Sequence, residues 1–241
     1  MQDVATKNIN QLDENNHGIL LIDKPTDMTS HDVVNIVRKK TGVKRVGHAG
    51  TLDPLATGLL IILVGKQFTK LQSKFLKTYK TYLCTAQLGI ETDTYDIDGE
   101  VIKETEWKKL EKITKQQLEK TLEQFEGKNF QTVPAFSAVK VKGKKLYKQA
   151  RKKKIDKSKL PKREIVITRL NLTSFKKDVK KKQILFSIEV RASSGTYIRS
   201  LIHDIGEKLR VGATITKLRR TQVKDLNIKD AISLEEIKTT S

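Results

Sequence analysis

Between Gly47 and Gly58 the chain reads Gly-His-Ala-Gly-Thr-Leu-Asp-Pro-Leu-Ala-Thr-Gly, with three glycines and a proline around one carboxylate. Glycine reaches backbone conformations closed to other residues and proline fixes one dihedral, so this composition describes a constrained loop, not a helix. Asp53 is therefore a candidate nucleophile or base, provided that rigid elements on both sides hold it in a fixed direction. The alternative is structural: Asp before Pro is a common turn, and an Asx turn satisfies backbone donors without any chemistry. His48, five residues earlier, has two readings as well, a general base or a residue that positions backbone or phosphate. It has no obvious Ser or Cys nucleophile as a partner, which favours positioning.

The elements that must hold this loop are legible on either side. Gly18–Ile22 is a short apolar run closed by Asp23-Lys24-Pro25, the pattern of a buried strand and a turn. Thr29 and Ser30 can cap a helix in which Val33, Ile36 and Val37 share a face, Asp32 favours the positive end and Gly42 suits the stop. Leu59–Val64 reads as a second buried strand. From Thr81 to Leu88 the positions Tyr82, Cys84, Ala86 and Leu88 alternate with Thr81, Leu83, Thr85 and Gln87, the period of a two-faced strand.

Further along, Thr114 and Gln117 form a capping box ahead of a stripe of Leu118, Leu122 and Phe125 that ends at Gly127. Ile165–Phe175 and Gln183–Ala192 read as a hairpin around a lysine-rich turn. Thr196–Leu209 is a helix with Ile198, Leu201, Ile202, Ile205 and Leu209 on one face and Arg199, Asp204, Glu207 and Lys208 elsewhere. Ser233 with Glu236 is expected to start a last short helix. Strands and helices mix without strict βαβ alternation, so the fold class is α+β. Residues 1–17, polar and rich in Asn and Gln, read as a flexible tail.

The chain has 241 residues, with 48 Lys and Arg against 28 Asp and Glu, a net +20. That is long enough for a full core. No apolar run approaches the ~18 residues of a membrane span, and the N-terminal residues resemble neither a secretory signal nor a transit peptide, so a cytoplasmic location is expected. Cys84 is the only cysteine, which excludes a disulfide framework and a Cys-based zinc site, and with four His no metal is expected. The charge points to a polyanion. It is concentrated in 140–163, where 13 Lys or Arg face one acid, Asp156, a net +12. The stretch from Lys140 to Lys154 lacks the bulky apolar face of an interfacial helix, so nucleic acid is favoured over a membrane surface. Aromatics are 5% of the chain, which leaves shape and phosphate contact to dominate recognition.

The Gly47–Gly58 stretch, together with 18–25, resembles the TruB family of tRNA pseudouridine synthases, which modify uridine 55 in the T loop. Agreement continues in order through Lys80-Thr81-Tyr82, Leu88-Gly89, Thr92–Gly99, Pro134–Lys140 with Gly143–Tyr147, Ser194–Leu201 and Leu218-Arg219-Arg220, from about residue 18 to about residue 226. The resemblance implies a pseudouridine synthase fold, a mixed, mostly antiparallel sheet flanked by helices with the active site in a basic cleft. It places the catalytic aspartate at Asp53, the tyrosine that packs on the flipped base at Tyr82 and the arginine paired with the aspartate at Arg199. His48 falls where the family extrudes or holds the nucleotide, and Tyr197 and Leu218 where it lines the uridine pocket; spacing alone would read both as core packing. No metal or cofactor is implied, and the partner is the T arm of tRNA, bound by a monomer with no protein partner.

On this reading 18–241 is the catalytic domain. Its 140–163 segment, with Lys140, Lys144, Lys145, Lys148, Arg151, Lys152, Lys153 and Lys154, is expected to be an RNA-clamping loop. Many bacterial members carry a PUA-type domain after the catalytic domain, and none is expected here; Ser194 stands where many relatives have Lys. Two rival readings are a guide-RNA-dependent pseudouridine synthase and a non-catalytic tRNA-binding or folding protein.

Overall fold

All five residues of the apolar run 18–22 are buried, as a strand covered on both faces requires. A computed structural model describes residues 11–137, 139–141, 143–150 and 160–237. In chain order its elements begin with β1 (Gly18–Lys24), α1 (Ser30–Thr41), β2 (Val46–Ala49), β3 (Thr57–Val64), α2 (Lys66–Thr69), α3 (Gln72–Leu76) and β4 (Lys80–Leu88). β5 (Ile90–Thr92), β6 (Val101–Glu104), α4 (Trp107–Leu110), α5 (Lys115–Glu123), β7 (Gly127–Thr132), β8 (Lys140–Val141), β9 (Lys144–Lys145) and α6 (Leu146–Ala150) follow. The chain continues through β10 (Lys162–Asp178), β11 (Gln183–Ala192), α7 (Ile198–Lys208), β12 (Ala213–Val223) and β13 (Leu226–Asn227). The described residues fall into two compact units, one of residues 11–82 with 218–237 and one of those between 83 and 217.

In the first unit β3 pairs antiparallel with β1 and β2, and in parallel with the end of β12, Arg219 opposite Thr57 and Arg220 opposite Gly58. Ile19, Leu21, Ala49, Leu59, Ile61, Leu63, Val223 and Leu226 form one apolar layer, extended by Phe68, Leu71 and Phe75. Leu20, Ile22, Leu60 and Ile62 alternate to the opposite face and are buried there. Thr29 caps α1 through a box with Asp32, and Gly42 closes it at φ 70°.

The sheet of the second unit runs β12-β4-β11-β10-β7. The hairpin expected at 165–192 is present, with β10 and β11 paired antiparallel from Ile167–Ala192 to Asp178–Gln183. Along β4 the even positions are buried and Leu83 is exposed, as the alternation predicts. The Thr114–Gln117 box caps α5, which buries Leu118 and Leu122. Ile198, Leu201, Ile202 and Ile205 of α7 are buried as expected, and so is Arg199.

Three expectations need correction. The Gly47–Gly58 stretch begins as strand, since Val46–Ala49 is β2 and the loop proper is 50–56. Ser233 N–H does donate to the Glu236 carboxylate (2.7 Å), but the residues that follow form a turn and not a helix. Residues 11–17, read as part of a tail, form a turn closed by Asp13 N–H donating to the His17 carbonyl and anchored by Asn16 Nδ2 donating to the Thr41 carbonyl. The remainder of the expected tail, 1–10, lies outside the described residues.

Candidate active site

The loop bearing Asp53 connects two antiparallel neighbours, β2 and β3, so both of its ends are fixed by ladder hydrogen bonds. Its interior is tied down from four directions. Ser30 Oγ, in the first turn of α1, donates to the Leu52 carbonyl (3.0 Å) and accepts from the Leu52 N–H (2.8 Å). Asp27 N–H donates to the Pro54 carbonyl (3.1 Å), and Ala56 N–H to the carbonyl of Asp53 itself (3.0 Å). Arg220 donates from Nη2 to the Gly50 carbonyl (2.9 Å) and from Nε to the Leu59 carbonyl (2.8 Å). Gly58, at φ +99°, is a position only glycine fills, because a Cβ there would collide with the backbone of Arg220. These ties leave Asp53 half-buried.

Lys24 is the fourth tether. It is fully buried, and its ammonium donates to the carbonyls of Pro25 (2.6 Å), Met28 (2.6 Å) and Pro54 (3.3 Å). Burial pulls its pKa down to about 8, against the opposing pull of the Asp27 and Asp53 carboxylates. Lys24 therefore both fastens the loop and places a positive charge within electrostatic reach of Asp53. Lys80 is also buried, donates to the carbonyls of Leu76 (3.0 Å) and Thr78 (2.9 Å), and is shifted by desolvation to about 8, with Arg220 acting in the same direction.

Two other sequence-predicted residues of this unit, Tyr82 and His48, lie within electrostatic reach of Arg220. Tyr82 is buried, as is Arg220, whose pKa is lowered by that burial. His48, on β2, is largely desolvated, which lowers its pKa, and the positive charge of Arg220 adds to the shift. Among the described residues its Nδ1 has no hydrogen-bond partner. Leu218 is buried, and its carbonyl accepts from Thr57 Oγ1 (3.5 Å). The next residue, Arg219, makes a two-pronged ion pair with Asp23 (3.0 and 2.6 Å).

In the second unit, Tyr197 caps α7 by its backbone: its N–H donates to Gln131 Oε1 (2.8 Å) and its carbonyl accepts from Gln131 Nε2 (3.0 Å). Arg199 follows in the first helical turn. It donates to the carbonyls of Thr94 (2.7 Å) and Phe136 (3.0 Å) and pairs with Asp96 (3.3 Å), both side chains being nearly inaccessible. One guanidinium thus joins the 92–99, 134–140 and 194–201 motifs. One helical turn further, His203 stacks on Tyr95 with ring centroids 4.0 Å apart.

Of the lysine-rich segment, Lys140 is an exposed residue of β8, Lys144 and Lys145 form β9, and Lys148 lies in α6. Arg151, Lys152, Lys153 and Lys154 lie outside the described residues.

Lys24, Lys80, Arg220, Gln131 and Asp96 carry this architecture without a role legible in the sequence, and Ser30, expected as a helix cap, instead fastens the loop through Leu52. A Lys that follows an apolar run and precedes Pro, and the inward member of the Arg219-Arg220 pair on a strand, are the signals that could have marked two of them. Among the described residues there is no group of three or more His, Cys, Asp or Glu able to hold a metal ion, and no helix long and apolar enough to cross a membrane.

The family model for the N-terminal domain of TruB family pseudouridylate synthases matches residues 38–198, and that for the tRNA pseudouridylate synthase B C-terminal domain matches 199–241. The tRNA pseudouridine synthase B of Endomicrobium trichonymphae is 42% identical over 219 residues, covering 91% of this chain and 90% of the relative. That of Aquifex aeolicus is also 42% identical over 219 residues, with 72% of the relative covered. Among solved structures, a chain of a Cbf5-Nop10-Gar1 complex aligns with TM-score 0.65 and 27% identity over 92% of this chain; the protein spans about half (54%) of that chain. The ordered motifs, the mostly antiparallel sheets and these matches agree: the chain belongs to the TruB family of pseudouridylate synthases.

Proposed function

We propose that the protein isomerises uridine 55 in the T loop of tRNA to pseudouridine, as a monomer needing neither guide RNA nor protein partner. Its relatives at 42% identity are named tRNA pseudouridine synthase B and match along most of their length, so the activity is tRNA pseudouridine formation, an isomerisation. The Cbf5 match is more distant and covers half of the solved chain, which disfavours the guide-dependent reading.

The reaction breaks the bond from ribose C1′ to N1, turns the uracil and joins C1′ to C5. The proton on C5 is lost and N1 gains one, so no electrons are exchanged. A carboxylate at the sugar either attacks C1′ or stabilises charge while a ribose proton leaves. We assign that carboxylate to Asp53. The target base must first leave its stack, at a cost of a few kcal/mol that phosphate contacts offset; the net +20 charge supplies those contacts. Tyr82 and Tyr197 are the rings available to stack on the detached uracil, Leu218 lines the pocket, His48 holds the nucleotide, and Arg199 fills the family's arginine position.

The observation that carries this reading is the fixed presentation of Asp53 by Ser30, Lys24, Asp27 and Arg220. The test is incubation of the purified chain with unmodified tRNA alone, followed by chemical mapping of pseudouridine. Product in the T loop without guide RNA is expected. Tight binding without product would select the folding protein, and product only with a guide would select the guide-dependent class.

A further inference from the structure

The β10–β11 hairpin ends in Lys176-Lys177-Asp178-Val179-Lys180-Lys181-Lys182, five lysines against one aspartate, a net +4 over seven residues. All five lysines are exposed, and among the described residues none of them forms an ion pair. Asp178 is occupied in shaping the turn, accepting from the Lys181 N–H (2.9 Å). Lys177 Nζ donates to the Glu111 carbonyl (2.6 Å). This joins the tip to the end of α4, where Lys108, Lys109 and Lys112 are also exposed, beside Glu106 and Glu111. Unpaired like charges gathered on one rigid tip repel one another, and a polyanion relieves that repulsion.

The position of the tip limits what it can touch. β11 leads from Gln183 at the tip to Ala192, directly before the segment holding Tyr197 and Arg199. Nine residue steps at about 3.3 Å put the lysines roughly 30 Å from that segment. A nucleic acid strand passes about nine phosphates over this length, so a phosphate held at the tip is about nine nucleotides from one held beside that segment.

We infer that the lysine tip of the β10–β11 hairpin is a second RNA-binding site, which grips the phosphate backbone of the substrate tRNA outside its T arm. This rests on the tRNA-modifying reading above and adds a contact that contributes affinity and not chemistry.

The test compares wild type with Lys176→Gln/Lys180→Gln/Lys181→Gln/Lys182→Gln, sparing Lys177 because of its structural bond. For full-length tRNA, the slope of log affinity against log salt should become shallower by about 2 or more, which is a loss on the order of ten- to fifty-fold near 150 mM salt. For an isolated T-arm hairpin, affinity and turnover should be unchanged. An unaltered slope on full-length tRNA, or an equal loss on both RNAs, overturns the inference. Wild-type turnover of the T-arm hairpin tests the parent reading separately. A second measurement does not depend on that variant: Val179→Cys carrying a photo-crosslinker, with Cys84 buried and shielded, should label nucleotides outside the T arm. Labelling confined to the T arm, or none, overturns the inference as well.

Discussion

Replacement of Ser30 by alanine removes one oxygen 23 positions before Asp53, and the effect follows from the geometry. Ser30 Oγ serves both backbone groups of Leu52, a residue 3% exposed, so neither group can turn to water without moving the chain. If the loop keeps its position, an unpaired buried N–H and an unpaired buried C=O cost about 1–3 kcal/mol each. If the loop relaxes instead, that cost falls and Asp53, the next residue, leaves its fixed direction. A displacement of about 1 Å from reactive geometry costs on the order of 10²-fold in rate. Ser30→Ala should therefore lose about 2–6 kcal/mol of stability, seen as a melting temperature lower by roughly 4 °C or more at this chain length, or lose turnover by ten- to hundred-fold, with tRNA affinity within a few fold. Thermal denaturation combined with single-turnover kinetics measures both. Wild-type melting together with wild-type turnover would refute the claim that Ser30 holds the loop.

Arg199→Met removes the counter-ion of the Asp96 carboxylate, which keeps the Thr94 hydroxyl as a donor, and the donor to two carbonyls in the interior of the second unit, and should cost about 3–5 kcal/mol in denaturant unfolding. Adding Asp96→Leu should restore part of it, since a buried charge that has lost its counter-ion is then gone; additive losses would show that the pair is not coupled. Asp204 is raised to about 6 by desolvation, with Glu207 adding to the shift. The folded state then holds a proton that the unfolded state gives up near pH 4, so stability falls as pH rises through about 4–6. Asp204→Asn should accordingly raise the melting temperature more at pH 7.5 than at pH 4; an equal change at both would contradict the burial assignment.

Features with short-range causes were legible in the sequence. The Thr29–Asp32 and Thr114–Gln117 boxes, the Gly42 stop, the alternation along β4 and the β10–β11 hairpin each depend on residues a few positions apart. β2 escaped notice because four residues that include Gly47 and His48 carry too little apolar pattern to compete with the glycine signal. The Ser233–Glu236 bond formed, but a local cap does not make a helix without an apolar face to bury after it. Asp53 stood out through Gly and Pro, which act on the backbone directly. Its supports did not, because a buried Lys24 or Arg220 becomes intelligible only once distant carbonyls converge on it. Arg199 shows the limit of polarity as a guide: read as lying off the apolar face of its helix, it is buried by partners 63 and 105 residues away in sequence.

The carboxylate of Asp53 is tested most directly by Asp53→Asn, which removes the charge and almost no volume. With saturating enzyme and unmodified tRNA in a single turnover, wild type should convert one T-loop uridine to pseudouridine, while the variant forms none and binds the same tRNA within a few fold. A variant that still converts the uridine at the wild-type rate would place the reacting group elsewhere.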